Sequence, residues 1–482
     1  MAARLAPVSE AGFVNPGIAE PKGPDYVIVE MRHDSRVAYS PEGFSAPAEA
    51  EPAARDLNTI LEKFRVRRVE SLFGMRERQI RRRVTAAPPS LDVAVSAEFA
   101  HSGFVEVLPR RDQDAAQLAR QLNEADVVWK AVVAPRPVPA AAAAGSSTAS
   151  RNFEPAQGYL DSPPNGIGAI EAWQKHGSTG KGITICDIEG NWNFDHEDLP
   201  SFTHIGGTLV NDLGWRNHGT AVLGEMVSKP GRAGTVGISH SARAVVHSAF
   251  IDGVWNAAGA IAAATARLKA GDVILIELQA TGPNGKYVAM QYWDANFSAI
   301  RAAVEKGICV VEAAGNGDEN FDLPMFNGTG LQKDSGAIVV GAGIPPTNHF
   351  DNFGPDWGFA QYGWIGNPRS RIWFSNYGKI VNVQAWGWHV TTTGYGDAQG
   401  HASENRWYTI RFSGTSSASP IVTGCVACIQ GHAIASQGQP LSPQKVRSIL
   451  MSTGTAQESG PGVPLSQRIG PQPNLIKALA AV

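Results

Sequence analysis

The sequence predicts an α/β fold: a parallel sheet with helices on both faces in the larger, C-terminal part, preceded by a small α+β domain. Three observations carry this prediction. Apolar strands alternate with helices from residue 182 onward, the N-terminal part has its own order of strands and helices, and a stretch rich in Pro, Ala and Ser lies between them. A chain of 482 residues with 43% hydrophobic and 18% charged residues is long enough for more than one core.

Four regions follow from these changes in composition. Residues 1–20 are an N-terminal extension, 21–134 a small domain, 135–156 a linker and 157–482 the large domain. The linker begins with PRPVPAAAAAGSSTAS, a composition that does not build a packed core.

The small domain has six main predicted elements in the order β-α-β-β-α-β. They are a strand at 25–31, a helix at 54–64, strands at 66–73 and 103–109, a helix at 114–125 and a strand at 127–133. This order is the split βαβ pattern of ferredoxin-like domains. The arginine-rich stretch between residues 63 and 83 has two interpretations, an anion or nucleic-acid patch and a solvated face. The solvated face is favoured because no interleaved aromatic stacking residues accompany the arginines.

The large domain alternates apolar strands with helices. Strands are predicted at 182–190, 244–251, 272–278, 308–316 and 337–343, and helices at 256–271, at 287–307 and after Pro420. Such alternation is typical of a parallel sheet covered on both faces. In these sheets functional sites lie at the carboxyl ends of the strands, so polar residues at those ends are the first candidates.

Four residues with catalytic side-chain chemistry fall at the ends of predicted elements. Asp187 ends an apolar strand, His218 stands at a helix start in RNHGTAVLGEM, Asn316 follows a strand, and Ser416 lies in FSGTSSASP before an apolar helix. A nucleophile, a base, an acid that orients the base and an amide donor are the groups that acyl transfer needs. Each residue alone has a structural interpretation as a cap, turn or core residue, but the combination favours catalysis.

The segments around these residues resemble those of subtilisin-like serine proteases, over about residues 157–480. The matching segments are GKGITICDIEGNWNFDHEDL, NHGTAVLGEM, VVEAAGN, FSNYG and SGTSSASP. The chain order Asp, His, Ser is also that of this family. The resemblance implies Ser416 rather than Ser417 as the nucleophile, His218 as the general base, Asp187 as the carboxylate that orients it and Asn316 as an oxyanion donor.

The resemblance also implies a polypeptide substrate that pairs with a strand edge as an added strand. The residues that match the family's substrate-binding segments are Glu277, Leu278, Gln279, Ala313, Ala314 and Gly315. No cofactor is required for the chemistry. A structural calcium ion is common in the family, but no ligand set for it can be located in this sequence.

The chain departs from the family pattern near the predicted site. Glu189 stands where the family has glycine, and is interpreted either as a group that alters the pKa of His218 or contacts substrate, or as a solvent-facing residue. Glu277 and Glu312 border the expected first specificity pocket, which gives the hypothesis of a preference for a basic residue before the cut. Segments 344–371 and 395–407 exceed the family core and are interpreted as loops that line or cover the cleft, or as surface decoration.

The leading functional prediction is a serine endopeptidase made as an autoinhibited precursor, with the N-terminal domain as intramolecular inhibitor and a self-processing site in or near the linker. One alternative is a catalytically silent, protease-like binding module. Another is a relative with a glutamate as base. The set Asp187, His218, Asn316 and Ser416 argues against the first, and the NHGT segment against the second.

Location and the cysteines complete the expectations. The first residues show no secretory signal and no stretch reaches the ~20 apolar residues of a membrane span. A cytoplasmic protein with no membrane and no nucleic-acid partner is therefore expected, while export by another route stays open. The four cysteines include Cys425 and Cys428 in CxxC spacing, and all four are predicted to be core residues.

Overall fold

The structure is a computed structural model of the 482-residue chain. It describes residues 150–346 and 366–482 throughout and, before them, residues 27–31, 38–40, 43–45, 51–64, 66, 68–71, 104–108, 115–125 and 127–133. The predicted N-terminal extension, most of the predicted linker and the predicted loop residues 347–365 lie outside the described residues.

The described elements of the small domain form an antiparallel sheet and two helices. They are β1 (Val27–Met31), β2 (Ala38–Ser40), β3 (Gly43–Ser45), α1 (Glu51–Lys63), β4 (Arg68–Ser71), β5 (Phe104–Leu108), α2 (Ala115–Asn123) and β6 (Val128–Val133). The strand order in the sheet is β4-β5-β1-β6, and β2 pairs with β3 separately. Because residues 72–103 lie outside the description, the ferredoxin-like assignment of the whole domain stays a prediction.

The large domain contains thirteen described strands. They are β7 (Thr184–Glu189), β8 (Thr203–Gly206), β9 (Arg243–Ser248), β10 (Phe250–Ile251), β11 (Val254–Trp255), β12 (Val273–Ile276), β13 (Gln279–Thr281), β14 (Tyr287–Ala289), β15 (Cys309–Ala313), β16 (Ile338–Gly343), β17 (Val383–Trp386), β18 (Val390–Thr393) and β19 (Tyr408–Phe412). Seven of them form one sheet in the order β17-β16-β15-β12-β7-β9-β8, and every pairing in it is parallel.

Helices cover both faces of this sheet. The described helices are α3 (Ala169–Ala172), α4 (Leu213–Val227), α5 (Ala257–Arg267), α6 (Asp294–Glu305), α7 (Thr415–Gln437), α8 (Pro443–Thr453) and α9 (Leu475–Ala480). Buried residues of α4, α7 and α8 pack on one face, and those of α5 and α6 pack on the other. The predicted α/β class, with helices on both faces of a parallel sheet, is confirmed.

Helix α7 is a core helix. Among the residues that the structure describes, it is the one helix long and apolar enough to span a membrane by length and composition alone. However, 83% of its most apolar window is buried inside the protein. A core helix of a large sheet needs this composition, because it contacts apolar side chains around most of its circumference.

The predicted helix at 287–307 begins later than its spacing suggested. Residues 287–289 form β14, which pairs with β13, and a 3-10 turn covers Met290–Tyr292 before α6 begins. The side chain of Glu312 explains this, because its Oε1 accepts a hydrogen bond from the Gln291 backbone N–H at 2.7 Å. A tertiary contact therefore takes the donor that a longer helix would use.

The end of the predicted linker packs on the large domain. Phe153 is buried and stacks on Tyr408 with ring centroids 5.0 Å apart. The Arg151 backbone N–H donates to Gln399 Oε1 at 2.9 Å. Residues from 150 onward are thus anchored beside the β18–β19 hairpin, which leads directly into α7.

Candidate active site

Strand β7 carries two buried carboxyl side chains, Asp187 and Glu189, on the same face of the sheet. Side chains alternate along a strand, so residues two apart share a face. Both neighbours of β7 in the sheet, β9 and β12, are parallel to it, which places these side chains centrally at the carboxyl end. This face packs against α4 and α7, the helices that carry His218 and Ser416.

His218 lies in the second turn of α4 and is fully buried. The helix begins after Asp212, whose carboxylate caps it by accepting a hydrogen bond from the Trp215 N–H at 3.0 Å. The Phe412 ring meets the imidazole edge-on, with centroids 5.3 Å apart. The ring of His218 is therefore fixed between the sheet, its own helix and the strand that precedes α7.

The carboxyl group that contacts His218 belongs to Glu189. Its Oε1 is hydrogen-bonded to His218 Nδ1. Asp187 instead accepts a hydrogen bond from Trp192 Nε1 at 2.7 Å. The structure thus differs from the sequence analysis, which gave Asp187 this position. Glu189 thus holds Nδ1, while the hydrogen bond to Trp192 holds the carboxylate of Asp187.

Burial controls the protonation of this pair. It lowers the pKa of His218 to about 4, with the negative charge of Asp187 acting in the opposite direction. It raises the pKa of Glu189, against a hydrogen bond from the Gly190 N–H. Burial, followed by repulsion from Glu189, also raises the pKa of Asp187. His218 is therefore neutral at neutral pH, which is the form that can accept a proton.

Ser416 is the second residue of α7 and is 7% exposed. Gly414 precedes the helix with φ 109° and ψ 179°, a conformation essentially limited to glycine. This turn presents the N-terminal N–H groups of α7 beside Ser416. The neighbouring Ser417 hydroxyl is directed at the carbonyl oxygens of Trp386 and Gly414, each 3.1 Å away, so Ser417 is a structural residue.

Asn316 is oriented by the first residue of α7. Its Oδ1 accepts hydrogen bonds from the Thr415 N–H at 2.8 Å and from Thr415 Oγ1 at 3.0 Å. Because a backbone N–H can only donate, the atom that faces it must be the amide oxygen, which leaves Nδ2 available as a donor. A Cβ on Gly414 would lie 3.1 Å from this Nδ2. The amide thus lies beside the turn that precedes Ser416.

Asn376, in the FSNYG segment, is a supporting residue that the sequence analysis missed. Its Oδ1 accepts hydrogen bonds from the N–H groups of Gly317 at 3.1 Å and Glu319 at 2.8 Å, and its Nδ2 donates to Ala314 O at 2.7 Å. These contacts bracket Asn316 on both sides along the chain. The sequence offered no spacing signal for them, since the partners lie 57 to 62 residues apart.

The His218 Nε2 atom has no hydrogen-bond partner within the described part of the chain. The Ser416–His218 hydrogen bond of a working triad is thus not formed in this structure. Catalytic hydrogen bonds are often loose before substrate binds, so this geometry is compatible with a serine nucleophile and a histidine base.

The residues predicted to bind substrate mostly have contacts inside the domain. Glu277, Leu278, Ala313 and Ala314 are each at most 2% exposed. The Gln279 side chain accepts a hydrogen bond from the Asn316 N–H at 2.8 Å. The Gly315 N–H donates to Thr415 Oγ1 at 3.1 Å. These contacts give the segments a role in holding the site, while their pairing with a peptide stays a prediction.

The hypothesis of a pocket acidified by Glu277 and Glu312 is not supported. Glu312 is fully buried and accepts the Gln291 N–H on the face covered by α5 and α6. Glu277 is 2% exposed and contacts Ser419 of α7 on the opposite face. Side-chain alternation sends both carboxyl groups into the protein, so neither provides charge for a basic substrate residue.

Cysteines and metal ligands show no additional site in the described residues. All four cysteines are buried and unpaired, as predicted, and burial raises the pKa of each thiol. No group of three or more His, Cys, Asp or Glu side chains among the described residues is arranged to hold a metal ion.

Comparison with known proteins identifies relatives of the large domain. The subtilase family profile (peptidase S8) matches residues 180–470. The chain is 27% identical over 293 residues to the subtilisin-like proteinase Spm1 of Pyricularia oryzae, covering 57% of this chain and 47% of that protein. It is 28% identical over 267 residues to cerevisin of Saccharomyces cerevisiae, covering 54% of this chain and 35% of that protein.

A solved structure with a similar fold is fervidolysin from Fervidobacterium pennivorans, described as a keratinolytic enzyme related to subtilisin. The TM-score is 0.55 at 16% identity, covering 95% of this chain and 61% of that one. This similarity concerns the fold. The chain spans about half the length of the first curated relatives that it matches.

The relatives contradict the cytoplasmic location expected from the sequence. They are fungal subtilisin-like proteases of the secreted kind. The expectation rested on the lack of an apolar run in the first residues, which is weak ground because it concerns one short segment and no property of the folded domain.

Proposed function

Because this chain belongs to the subtilase family, we propose that it is a serine endopeptidase that hydrolyses peptide bonds through an acyl-enzyme. The observation that carries the proposal is the buried hydrogen bond between Glu189 and His218, on the sheet face that also packs the helix bearing Ser416. A carboxyl group fixed on Nδ1 leaves Nε2 as the atom that accepts a proton.

In the proposed reaction, Ser416 Oγ attacks the scissile carbonyl carbon and His218 Nε2 takes the hydroxyl proton. Ionised Glu189 then stabilises the imidazolium through Nδ1, and His218 returns the proton to the leaving amine. Water repeats the sequence on the acyl-enzyme. The triad of this proposal is Glu189, His218 and Ser416, with Asp187 a neighbour that is hydrogen-bonded to Trp192.

The tetrahedral oxyanion is stabilised by Asn316 Nδ2 and the Ser416 N–H in this proposal. Two hydrogen bonds from Thr415 fix the Asn316 amide before substrate arrives, so little reorganisation is needed during the reaction. Losing one such donor costs about 2.7–4 kcal/mol of barrier.

The N-terminal domain is proposed to act as an intramolecular inhibitor. Its last described strand, β6, contacts the large domain, because Lys130 Nζ lies 2.5 Å from Asp294 Oδ2 at the start of α6. A self-processing cut in or near residues 135–150 is part of this proposal. The contacts that anchor the chain from residue 150 onward support it, because they would hold the segment after the cut on the large domain. The extent of each domain also stays a proposal.

The test compares wild-type protein, Ser416→Ala and the adjacent Ser417→Ala as matched control. Each protein is incubated at neutral pH and then analysed by mass spectrometry for cleavage before residue 150. A second sample of each is labelled with a fluorophosphonate probe, which reacts with activated serine. We expect cleavage and labelling of the wild type and Ser417→Ala, and neither in Ser416→Ala. Equal processing by Ser416→Ala, or an unlabelled but folded wild type after removal of its N-terminal domain, would favour a catalytically silent module.

A further inference from the structure

Beneath Ser416 lies a cluster of four buried carboxyl groups. Asp187 and Glu189 come from β7, Glu225 from α4, and Glu277 directly follows β12. Ile276 pairs with Ile188 across the parallel ladder, which sets Glu277 beside Glu189 on the face that packs on α7. All four are at most 2% exposed. We call this set the carboxyl cluster.

The carboxyl cluster lacks compensating positive charge. Burial raises the pKa of both Glu277 and Glu225, and repulsion adds to it, from Glu189 and Asp187 for Glu277 and from Glu277 for Glu225. The hydrogen bond with Ser419 acts in the opposite direction on the pKa of Glu277, but burial is the larger effect. Among the described groups, only His218 lowers the pKa of a cluster member through a positive charge. That member is Asp187, and His218 carries the charge only when it is protonated. Four ionised carboxylates in a low-dielectric interior are strongly unfavourable, so some of them must keep their protons.

Ser419 makes two contacts that a protonated Glu277 satisfies together. Ser419 Oγ contacts both Glu277 Oε1 and the backbone oxygen of Thr415, the latter at 2.7 Å. A hydroxyl group has one proton to donate, and a carbonyl oxygen can only accept. If Ser419 donates to Thr415, the second contact is a hydrogen bond only when Glu277 donates to Ser419. A neutral Glu277 therefore satisfies the whole chain.

Ser416 is the other hydroxyl near this group. It lowers the pKa of Glu277 as a hydrogen-bonding neighbour, although within the described residues no partner reaches Glu277 Oε2 in hydrogen-bonding geometry. The same first turn of α7 thus joins Ser416 to Glu277 through Thr415 and Ser419. A charge on Glu277 would stand next to the atoms where negative charge develops during attack.

We propose, on the basis of the proposed function, that Glu277 is a positioning residue for the nucleophile: as a neutral acid it donates its proton to Ser419 and fixes the first turn of α7. The two carboxyl groups then have separate tasks. Glu189, which has an imidazole partner, takes the negative charge, and that charge keeps the proton on Glu277.

This assignment predicts a loss of activity at alkaline pH. A raised pKa means that Glu277 is neutral below that pKa and ionises as the pH rises through it. Ionisation reverses the Ser419 hydrogen bond and places a negative charge beside the oxyanion. The alkaline limb of kcat/KM therefore belongs to Glu277 in the wild type, within the coupled titration of the carboxyl cluster.

The first experiment records the pH profile of kcat/KM and of fluorophosphonate labelling for wild type and Glu277→Gln. The glutamine amide donates to Ser419 at every pH and carries no charge. We expect Glu277→Gln to lose the alkaline fall in kcat/KM. With each protein normalised to its own value at neutral pH, its kcat/KM should be about tenfold that of the wild type one pH unit above the wild-type alkaline limb. Glu312→Gln is the matched control, because that glutamate is equally buried on the other face of the sheet. Identical profiles for wild type and Glu277→Gln, or an equal shift in Glu312→Gln, would overturn the assignment.

The second experiment is independent of activity. An infrared difference spectrum of wild type minus Glu277→Gln at neutral pH should contain the carbonyl band of a protonated carboxyl group. Its absence overturns the inference whatever the enzyme does. Conversely, a present band with no labelling of Ser416 at any pH would uphold the neutral Glu277 and refute the proposed peptidase function.

Discussion

The pairing of Glu189 with His218 determines how the site handles protons at the scale of single residues. Burial raises the pKa of the acid and lowers that of the base, so both groups are neutral over a wider pH range than in water. Catalysis needs the ionised acid, because a buried imidazolium without a counter-charge is costly. In the proposed mechanism Asp187 does not take this role, because its carboxylate is hydrogen-bonded to Trp192.

Glu189→Gln should lower kcat far more than Asp187→Asn. Glutamine keeps the size of the side chain but removes the charge that stabilises protonated His218, and the corresponding change in a serine protease triad costs about 10⁴-fold. The asparagine introduced by Asp187→Asn would retain an acceptor for Trp192, so its effect should be much smaller. The measurement is kcat of the two variants and the wild type, from steady-state kinetics with a peptide substrate. A larger loss in Asp187→Asn would return the triad role to Asp187.

The acid limb of kcat/KM should lie above pH 4 in the wild type. Activity falls when Glu189 takes up a proton, and its raised pKa means that this occurs before His218 is protonated at about 4. Glutamine at position 189 does not titrate, which leaves His218 as the group that takes up a proton when the pH falls. The residual kcat/KM of Glu189→Gln should therefore fall near pH 4. If kcat/KM of the wild type and of Glu189→Gln fell at the same pH, the acid limb of the wild type would not belong to Glu189.

At the scale of elements, the turn into α7 holds together Ser416 and Asn316, the proposed nucleophile and the proposed oxyanion donor. The Thr415 N–H donates a hydrogen bond to Asn316, and the Ser417 hydroxyl donates one to the carbonyl oxygen of Gly414. The Ser419 hydroxyl contacts Glu277 of the carboxyl cluster. Gly414 allows this arrangement through its positive φ. The apolar remainder of α7 fixes the turn in space because it packs against the sheet.

Gly414→Ala should lower kcat with little change in KM. A Cβ would strain a glycine-only conformation by about 1–3 kcal/mol and crowd Asn316 Nδ2 at 3.1 Å. The control is Gly438→Ala at the other end of α7, where φ is 76° and no atom lies within 4 Å of the new Cβ. That variant should lose about 1–2 kcal/mol of stability and keep its kcat. Equal kcat values for Gly414→Ala and Gly438→Ala would show that the conformation of the turn before α7 does not affect catalysis.

At the scale of the whole molecule, one described ion pair joins the N-terminal sheet to the large domain. Lys130 and Asp294 are 44% and 27% exposed, so their attraction is partly screened by solvent. Asp294 also lies in the first turn of α6, where a negative side chain is favourable. The pair is therefore a modest contribution to the association of the two domains.

A charge reversal tests this contact in the full-length chain. Lys130→Glu and Asp294→Lys should each hasten the release of the N-terminal domain, and the double variant should recover part of the loss. The coupling should be about 0.2–1 kcal/mol and should shrink at high salt. The rate of appearance of peptidase activity is the measurement. Additive effects in the double variant would show that the two side chains do not interact.

The sequence by itself determined the parallel sheet and the family, and it was enough to predict that His218, Asn316 and Ser416 belong to one site. Apolar periodicity and turn residues are local signals, and a nucleophile at a helix start depends on a few consecutive residues. The tertiary structure decided which carboxyl group meets the histidine, because Asp187 and Glu189 share one strand face and only packing against α4 and Trp192 distinguishes them. It also decided the direction of Glu277, whose partner Ser419 lies 142 residues away. Contacts between distant segments leave no periodic trace in a single sequence, so the proton network beneath the nucleophile became visible only in the folded chain.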